Sequence, residues 1–369
     1  MMNRRTLIQA ASAGLLSPWA LAQAQAQAER RFAPMPSSDW RTFELTLGVQ
    51  VADVQGTTRV WLPLPDLDTE YQRTQENSWS GNASAARIVA DPLRDTRMLY
   101  AEFDNAKPEL AVTTRVQTRN RFTDWSKPLA RVQEDPETLK VALAPTEFIP
   151  TDGLVKKTAL GAIEGVPNDD VARTRAIYNW VVHNAFREPK VRGCGTGDVR
   201  TMLETGNLGG KCADLNAVFV GMCRSVGIPA RDIYGVRVAP SAFGYRELGA
   251  NPAGLKGAQH CRAEVFLKRY GWVAMDPADV LKVMRQETPD WIKDPANPVA
   301  APVMKSLFGS WEGNWVGYNR AHDLHLPGQR GNATLPFLMY PQGENASGRF
   351  DELAPDTFKY TISSKEITA

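Results

Sequence analysis

The stretch that decides the fold of this chain is Gly-Gly-Lys-Cys-Ala-Asp-Leu-Asn at residues 209–216. Apolar residues follow at helical spacing as far as residue 226, which predicts a helix with one buried stripe. This spacing places Cys212 at or near the N-terminus of a buried helix. Free backbone N–H groups and the helix dipole favour a thiolate there, and Lys211 adds a positive charge. We interpret the two glycines as residues that let the backbone turn sharply and leave the sulfur open.

A buried cysteine is more often an inert packing residue than a nucleophile. Cys223 lies inside the same predicted helix without a glycine approach, and we interpret it as packing. Cys212 alone is weak evidence for catalysis, because a cysteine nucleophile needs a base.

The first 28 residues predict an export signal. Arg4 and Arg5 precede an apolar run at residues 10–22, which is too short to span a bilayer as a mature helix. The adjacent arginines are similar to a twin-arginine export address. We expect cleavage between Ala22 and Ala28, a periplasmic location and no stable membrane insertion. Removal of two arginines takes the formal charge from +2 to zero, so no bulk charge indicates a nucleic-acid partner.

The remaining chain of about 340 residues is longer than one core usually spans, which predicts two domains. Short alternating segments at residues 30–135 predict an antiparallel β-sandwich. The clearest strands are expected at residues 43–49, 58–62, 98–103 and 110–116. Residues 145–285 carry helical periodicity followed by strands, and residues 286–369 predict a C-terminal extension packed on that second domain. The fold class is therefore predicted to be α+β.

The second informative stretch contains His260 and Asp276, in two apolar runs that flank a turn with Gly271. This pattern predicts a β-hairpin. A hairpin centred on residue 268 would place His260 opposite Asp276, whereas a centre nearer 269.5 would offset the pair by about three residues. Either register brings an imidazole and a carboxylate close together. Such a pair, in a chain with a cysteine at a helix start, is seldom incidental.

These motifs, taken in order, resemble the bacterial transglutaminase-like family of the papain-like cysteine-enzyme superfamily. The resemblance covers residues 152–279 and includes Gly-x-Cys-x-Asp at the helix start, Gly-Ile-Pro-Ala-Arg after it, and the His and Asp of the hairpin. It implies that Cys212 is the nucleophile, His260 the base and Asp276 the residue that orients His260, with no cofactor and no metal ion. One departure is Arg262, because the family commonly has Trp two residues after its His.

The resemblance implies a thiol enzyme that cleaves or transfers an acyl group of a peptide or protein substrate. Either water or an amine can accept the acyl group, and a dilute aqueous compartment favours hydrolysis. One alternative is a protein-glutamine acyltransferase that makes crosslinks. The other is a non-catalytic binding or assembly module on the same fold.

The backbone N–H of Cys212 is expected to donate to the oxyanion of an acyl intermediate, with a second donor from the loop before Gly209. Cys261 follows His260 directly, and side-chain alternation along a strand predicts that it points to the opposite face. A free Cys261 thiol and a disulfide with Cys194 both stay open, and we favour the free thiol.

Two further histidines, His322 and His325, have the i, i+3 spacing of metal ligands. No third ligand lies nearby in the sequence, so we do not predict a metal site there.

Overall fold

The computed structural model describes residues 31–52, 54–91, 96–104 and 107–367. The export signal predicted at residues 1–28 lies outside the described residues. The predicted α+β class is confirmed: two antiparallel sheets form a sandwich, and helices cover a third antiparallel sheet in a second unit. In the described residues no helix combines the length and the apolar character needed to cross a membrane.

The helices, in chain order, are α1 (Pro136–Val141), α2 (Gly153–Ala162), α3 (Asp170–Asn184), α4 (Val199–Thr205), α5 (Cys212–Ser225), α6 (Pro277–Gln286) and α7 (Ala301–Ser306). The first strands are β1 (Arg41–Val51), β2 (Thr58–Pro63), β3 (Gln72–Gly81), β4 (Ala85–Asp91), β5 (Thr96–Phe103), β6 (Glu109–Thr118), β7 (Arg121–Phe122), β8 (Phe186–Arg187) and β9 (Gly209–Gly210). The later strands are β10 (Ala230–Arg237), β11 (Gln259–Leu267), β12 (Gly271–Met275), β13 (Ser310–Trp311), β14 (Trp315–Asn319), β15 (Gln342–Asn345), β16 (Gly348–Arg349) and β17 (Phe358–Ile367).

The sandwich consists of one sheet in the order β17-β1-β6-β3 and another in the order β16-β15-β2-β5-β4. Strands β1, β2, β5 and β6 match the four segments expected from alternation, because their apolar side chains point into the core. Strands β3 and β4 are not among the segments predicted from alternation. Both lie at sheet edges and carry mostly polar or partly exposed residues, so their sequences lack the alternating apolar signal.

The C-terminal segment is shared between the two units instead of packing only on the second. Strand β14 joins the second unit's sheet, whereas β15 pairs with β2 and β17 pairs with β1 along ten residues. The expected packing of residues 286–369 on the second domain is therefore wrong for β15 and β17. Pairing between strands 300 residues apart leaves no local pattern in the sequence that could indicate it.

The second unit is built around α5, which is buried along its whole length. It lies against α2, α3 and α6 on one side and against β10 and β11 on the other. The sheet has the order β12-β11-β10-β14, and every residue of β11 is buried. A helix that is enclosed on all sides keeps its first residue in a fixed position relative to the central strand.

Candidate active site

Cys212 is the first residue of α5, as the sequence predicts, and only 3% of its surface is exposed. The carboxylate of Asp214 accepts hydrogen bonds from the backbone N–H groups of Lys211 at 3.0 Å, Thr196 at 2.9 Å and Gly197 at 2.9 Å. It therefore ties the helix start to the preceding loop. Residue 213 donates its N–H to the carbonyl oxygen of Cys194 at 3.0 Å, which brings a second cysteine beside the first.

Gly209 and Gly210 do not form the sharp turn that the sequence suggested. They form β9, which pairs with β8 in a short parallel ladder. A Cβ atom on Gly210 would lie 2.5 Å from the Cβ atom of Asp214, and one on Gly209 would lie 2.5 Å from the ring of Phe186. Both positions need glycine because side chains approach the backbone closely there.

His260 and Asp276 are brought together, with His260 Nε2 2.7 Å from Asp276 Oδ2. The hairpin pairs Leu267 with Gly271 and so turns about residue 269, between the two expected centres. The ladder ends at the pair Ala263–Met275, so Asp276 lies beyond it and is not directly opposite His260. Asp276 instead caps α6, and this cap position directs its carboxylate to the imidazole.

The side chains of Cys194, Cys261 and His260 lie close enough to the Cys212 sulfur to shift its pKa. Interaction with Cys194, then with Cys261 and His260, holds the pKa of Cys212 well below the ordinary thiol value, although burial opposes it. Burial and the charge of Arg237 lower the pKa of His260, but nearby carboxylates outweigh them and raise it to about 9. Both shifts favour an imidazolium–thiolate pair.

Two further side chains, the carboxylate of Asp279 and the amide of Asn216, lie around the imidazole and its Asp276 partner. Asp279 Oδ2 lies 3.3 Å from His260 Nε2, and its carboxylate forms a buried ion pair with Arg237. Asn216 donates from Nδ2 to the carbonyl oxygen of Cys261 at 2.9 Å and to Asp276 Oδ1 at 3.5 Å. No sequence pattern singles out these two residues, although Asn216 follows the cysteine by one helical turn and Asp279 lies at the N3 position of α6.

The four cysteines are free and buried. Cys194 donates its thiol to the carbonyl oxygen of Gln259 at 3.4 Å, and the Cys261 sulfur lies 3.9 Å from the sulfur of Met339. That Cys261 points to the face opposite His260 stays a prediction from strand alternation. Its thiol is nevertheless close enough to Cys212 for each to shift the pKa of the other.

A metal ion is a poor fit to the carboxylate–imidazole cluster. His260, Asp276 and Asp279 could offer ligand atoms within 4.8 Å of one another. However, Arg237 already neutralises Asp279, and Arg262 Nε lies 3.6 Å from Asp276 Oδ2. Two guanidinium groups beside the cluster disfavour a cation, so the site is better suited to holding a proton.

His322 and His325 contact different partners. The His322 ring lies 3.2 Å from the hydroxyl of Tyr234 and 3.4 Å from a carboxylate oxygen of Asp232. The backbone N–H of His325 donates to Asp91 at 2.9 Å. Among the residues that the structure describes, neither histidine belongs to a group of three potential metal ligands.

Comparisons with known proteins identify the family of this chain. A family model described as the transglutaminase-like superfamily matches residues 157–277. An uncharacterized protein of Haemophilus influenzae is 35% identical over 329 residues, which cover 85% of this chain and 87% of that protein. The chain belongs to the transglutaminase-like superfamily. The membership expected from the motifs is thus confirmed.

Two solved structures match this chain over much of its length. A candidate cysteine protease from Cytophaga hutchinsonii has a TM-score of 0.50 at 17% identity, over 89% of this chain and 99% of that one. At that identity the likeness shows the fold alone. The periplasmic domain of TgpA from Pseudomonas aeruginosa has a TM-score of 0.34 at 19% identity, over 68% of this chain and 91% of that one. That score is too low to carry an argument.

Arg262 occupies the position where the transglutaminase-like family commonly has Trp. Its guanidinium lies 4.8 Å from the ring centroid of Trp315 and 5.3 Å from that of Trp311, and Nη1 donates to the carbonyl oxygen of Glu312 at 3.2 Å. Burial lowers the pKa of Arg262 to about 10. The arginine thus lies behind the carboxylate of Asp276, and aromatic rings replace the water around it.

The site is closed in this structure. Cys212 and His260 are only 3% and 2% exposed, respectively. Tyr340, from the segment that leads into β15, lies close enough to Cys194 to interact with its thiol and is itself 5% exposed. A substrate must displace some of the residues that cover the Cys212 sulfur in order to reach it.

Proposed function

We propose that this protein is a thiol enzyme that cleaves a peptide amide through Cys212, His260 and Asp276. The observation that carries the proposal is the chain of contacts from the thiol at the start of α5, through the imidazole, to the carboxylate 2.7 Å from Nε2. A cysteine that serves only for packing does not require a buried imidazole and a buried carboxylate held in this order.

The first chemical step is attack of the Cys212 thiolate on the carbonyl carbon of the amide. Because Nε2 of His260 is held by Asp276, Nδ1 is the ring nitrogen left to serve the thiol. The imidazolium then gives its proton to the leaving amine, and an acyl-thioester remains on Cys212. In the described residues the backbone N–H of Cys212 makes no hydrogen bond, so it is free to donate to the oxyanion.

The second step transfers the acyl group from Cys212 to an acceptor. Neutral His260 takes a proton from water, and the hydroxide that forms attacks the thioester. An amine of another protein would give a crosslink by the same route. We favour water because it is in large excess in the periplasm, where the predicted export signal would deliver the protein.

Substrate entry needs the Tyr340 segment to open. The segment is long, it joins the sandwich through β15, and a peptide substrate can compete for the same contacts. We propose a peptide or protein as the substrate, because a small molecule would make too few contacts to displace this cover.

The proposal is tested by the reactivity of the four thiols. Limiting iodoacetamide on the reduced native protein should alkylate Cys212 first, and mass mapping of peptides identifies the site. Cys223 is the matched control, because burial raises the pKa of its thiol and no imidazole is among the groups that shift it. Preferential alkylation of Cys223 or Cys194, with Cys212 untouched, would refute a catalytic Cys212.

Hydrolysis and transfer are separated in one incubation with a mixed peptide library and a labelled primary amine. New peptide termini without label support hydrolysis, whereas labelled glutamine side chains support transfer. A folded protein that alkylates at Cys212 but forms no acyl adduct with any peptide would favour the non-catalytic module.

A further inference from the structure

Two thiols near the Cys212 sulfur form no bond with the substrate in the proposed acyl transfer. Cys194 and Cys261 are buried and free, and both lie close enough to Cys212 to shift the pKa of its thiol. The pKa of Cys223, the remaining cysteine, is shifted by burial and by the charge of Arg224, so this thiol lies apart from the other three. A thiolate with a second thiol in contact is the arrangement from which disulfides form.

We propose that Cys212 and Cys194 form a reversible redox pair, in which a hydroperoxide oxidises Cys212 and Cys194 then closes a disulfide with it. Formation of this bond is independent of what the enzyme does. Its consequence, a reversible loss of activity, rests on the proposed function.

The chemistry balances as follows. The Cys212 thiolate attacks one oxygen of the hydroperoxide, the O–O bond breaks, and the products are a sulfenic acid and, after protonation, an alcohol or water. The Cys194 sulfur then loses its proton and attacks the sulfenic sulfur. An S–S bond forms and the sulfenic oxygen leaves as hydroxide, which takes up a proton to give water. Two thiols lose two electrons, and the hydroperoxide gains them.

The backbone supports Cys194 as the partner. The carbonyl oxygen of Cys194 accepts the N–H of Ala213 at 3.0 Å, so its backbone lies directly beside that of Cys212. A disulfide needs Cα atoms within about 7 Å, and this hydrogen bond keeps the backbone of Cys194 next to the start of the helix that carries Cys212. The Asp214 carboxylate holds the same loop by two more backbone bonds, from Thr196 and Gly197.

The position of Cys261 is less suitable. It lies inside β11, paired with Tyr234 of β10, so its backbone cannot shift without breaking the sheet. Cys194 instead lies in a loop outside any strand, between Gly193 and Gly195, whose φ angles are 57° and 89°. A loop residue can make the small movement that closing an S–S bond requires.

Sequestration in a disulfide would also protect the nucleophile. A sulfenic acid that finds no thiol is oxidised further to sulfinic and sulfonic acids, which thiols do not reduce. With Cys194 beside it, Cys212 would instead be stored in a form that a dithiol can restore.

The test uses the full chain, reduced and then treated with hydrogen peroxide before free thiols are blocked with N-ethylmaleimide. Non-reducing peptide mapping should give a Cys194–Cys212 linked peptide that disappears after dithiothreitol. The linked peptide should persist in Cys261→Ser and in Cys223→Ser. In Cys194→Ser, Cys212 should accumulate as sulfinic and sulfonic acid, and dithiothreitol should not restore its alkylation by iodoacetamide.

Other products would overturn the proposal. A Cys212–Cys261 linked peptide would assign the wrong partner, and sulfinic acid at Cys212 with Cys194 blocked by maleimide would show that no pair forms. Because the readout is mass, a linked peptide in a protein without amidase activity would support the redox pair while contradicting the proposed function. Amidase activity without a linked peptide would do the reverse.

Discussion

Strand β11 carries two buried ionisable residues, His260 at its N-terminal end and Glu264 towards its C-terminal end, and their charges are balanced in opposite ways. At the Glu264 end a single carboxylate meets three guanidinium groups, with Arg231 Nε at 2.7 Å, Arg320 Nε at 3.6 Å and Arg121 in direct hydrogen-bonding contact. Burial opposes ionisation of Glu264, but the arginines hold its pKa far below the ordinary value. The charge at this end is permanent.

At the His260 end two carboxylates share one titratable ring. Asp276 and Asp279 lie 2.7 Å and 3.3 Å from Nε2, and the pKa of the imidazole is about 9. The ring therefore holds its proton at neutral pH and loses it near pH 9. Burial alone does not indicate function: an excess of arginines fixes a charge for stability, whereas a histidine between carboxylates keeps a proton available for chemistry.

The largest expected effect is on reactivity, from His260→Ala. Loss of the imidazolium removes one of the interactions that hold the Cys212 pKa down and raises it towards the ordinary value of about 8.5, at which roughly 0.3% of the thiol is ionised at pH 6. Alkylation at that pH should therefore slow by up to about two orders of magnitude. Amidase activity should fall by about 10³-fold or more. Asp276→Ala should act in the same direction but less strongly. Folded variants that alkylate at the wild-type rate would show that the contacts at this end do not activate the thiol.

The next effect is on stability, from Glu264→Gln at the other end. Three arginines would then face an uncharged side chain, and we expect the free energy of unfolding to fall by about 3–5 kcal/mol. Cys212 alkylation in the folded protein should not change. Urea unfolding measures the loss, and Glu76→Gln, which removes an exposed ion pair with Arg115 at 3.4 Å, is the control at under about 1 kcal/mol. Equal losses in both variants would contradict the comparison.

A smaller effect is expected from Arg262→Lys, at the position between the two ends. Lysine keeps the charge but cannot stack its ammonium on Trp315 and Trp311 as the planar guanidinium does. We expect a stability loss of about 1–2 kcal/mol and only a modest loss of activity. Urea unfolding and peptide hydrolysis, measured on the same preparation, check both parts. A loss of activity as large as that of Asp276→Ala would instead make Arg262 essential for orienting the carboxylate.

The mildest perturbation is pH. Because the folded pKa of His260 is raised to about 9, the imidazolium that protonates the leaving amine is present below that pH and is lost as the pH rises through it. Hydrolysis should therefore decline on the alkaline side with a midpoint near pH 9. The sequence contains four histidines, so ring resonances in NMR spectra can be assigned and titrated individually. A midpoint near 6.5 for His260 would show that the two carboxylates do not hold its proton.

Much of the site could be predicted from the sequence because its signals are local. A helix start is visible in the glycines and the apolar stripe after Cys212, and a hairpin is visible in two runs around Gly271. The sequence predicts the proximity of Asp276 and His260, but for a partly wrong reason. The strands do not place the two residues opposite each other; the position of Asp276 as the cap of α6 brings its carboxylate to the imidazole.

The residues that sequence reasoning missed act across long separations. Asp279 contributes to the site because its carboxylate forms an ion pair with Arg237 of β10 and also lies beside the His260 ring. Asn216 matters because α5 lies across β11 and α6 at once. Such contacts depend on the order of strands in the sheet, and no pattern within either segment specifies that order.

The pairing of β1 with β17 leaves one edge of β1 unpaired during most of the synthesis of the chain. Strand β1 finds β6 early, but its other edge stays open until β17 is made, about 240 residues later. At a synthesis rate of about 5–20 residues per second, that interval is roughly 10–50 s. Throughout it, a ten-residue edge with apolar side chains on one face is available to any extended chain nearby. The last ten described residues therefore protect the nascent protein from aggregation, and a chain cut short before Phe358 would keep that edge exposed permanently.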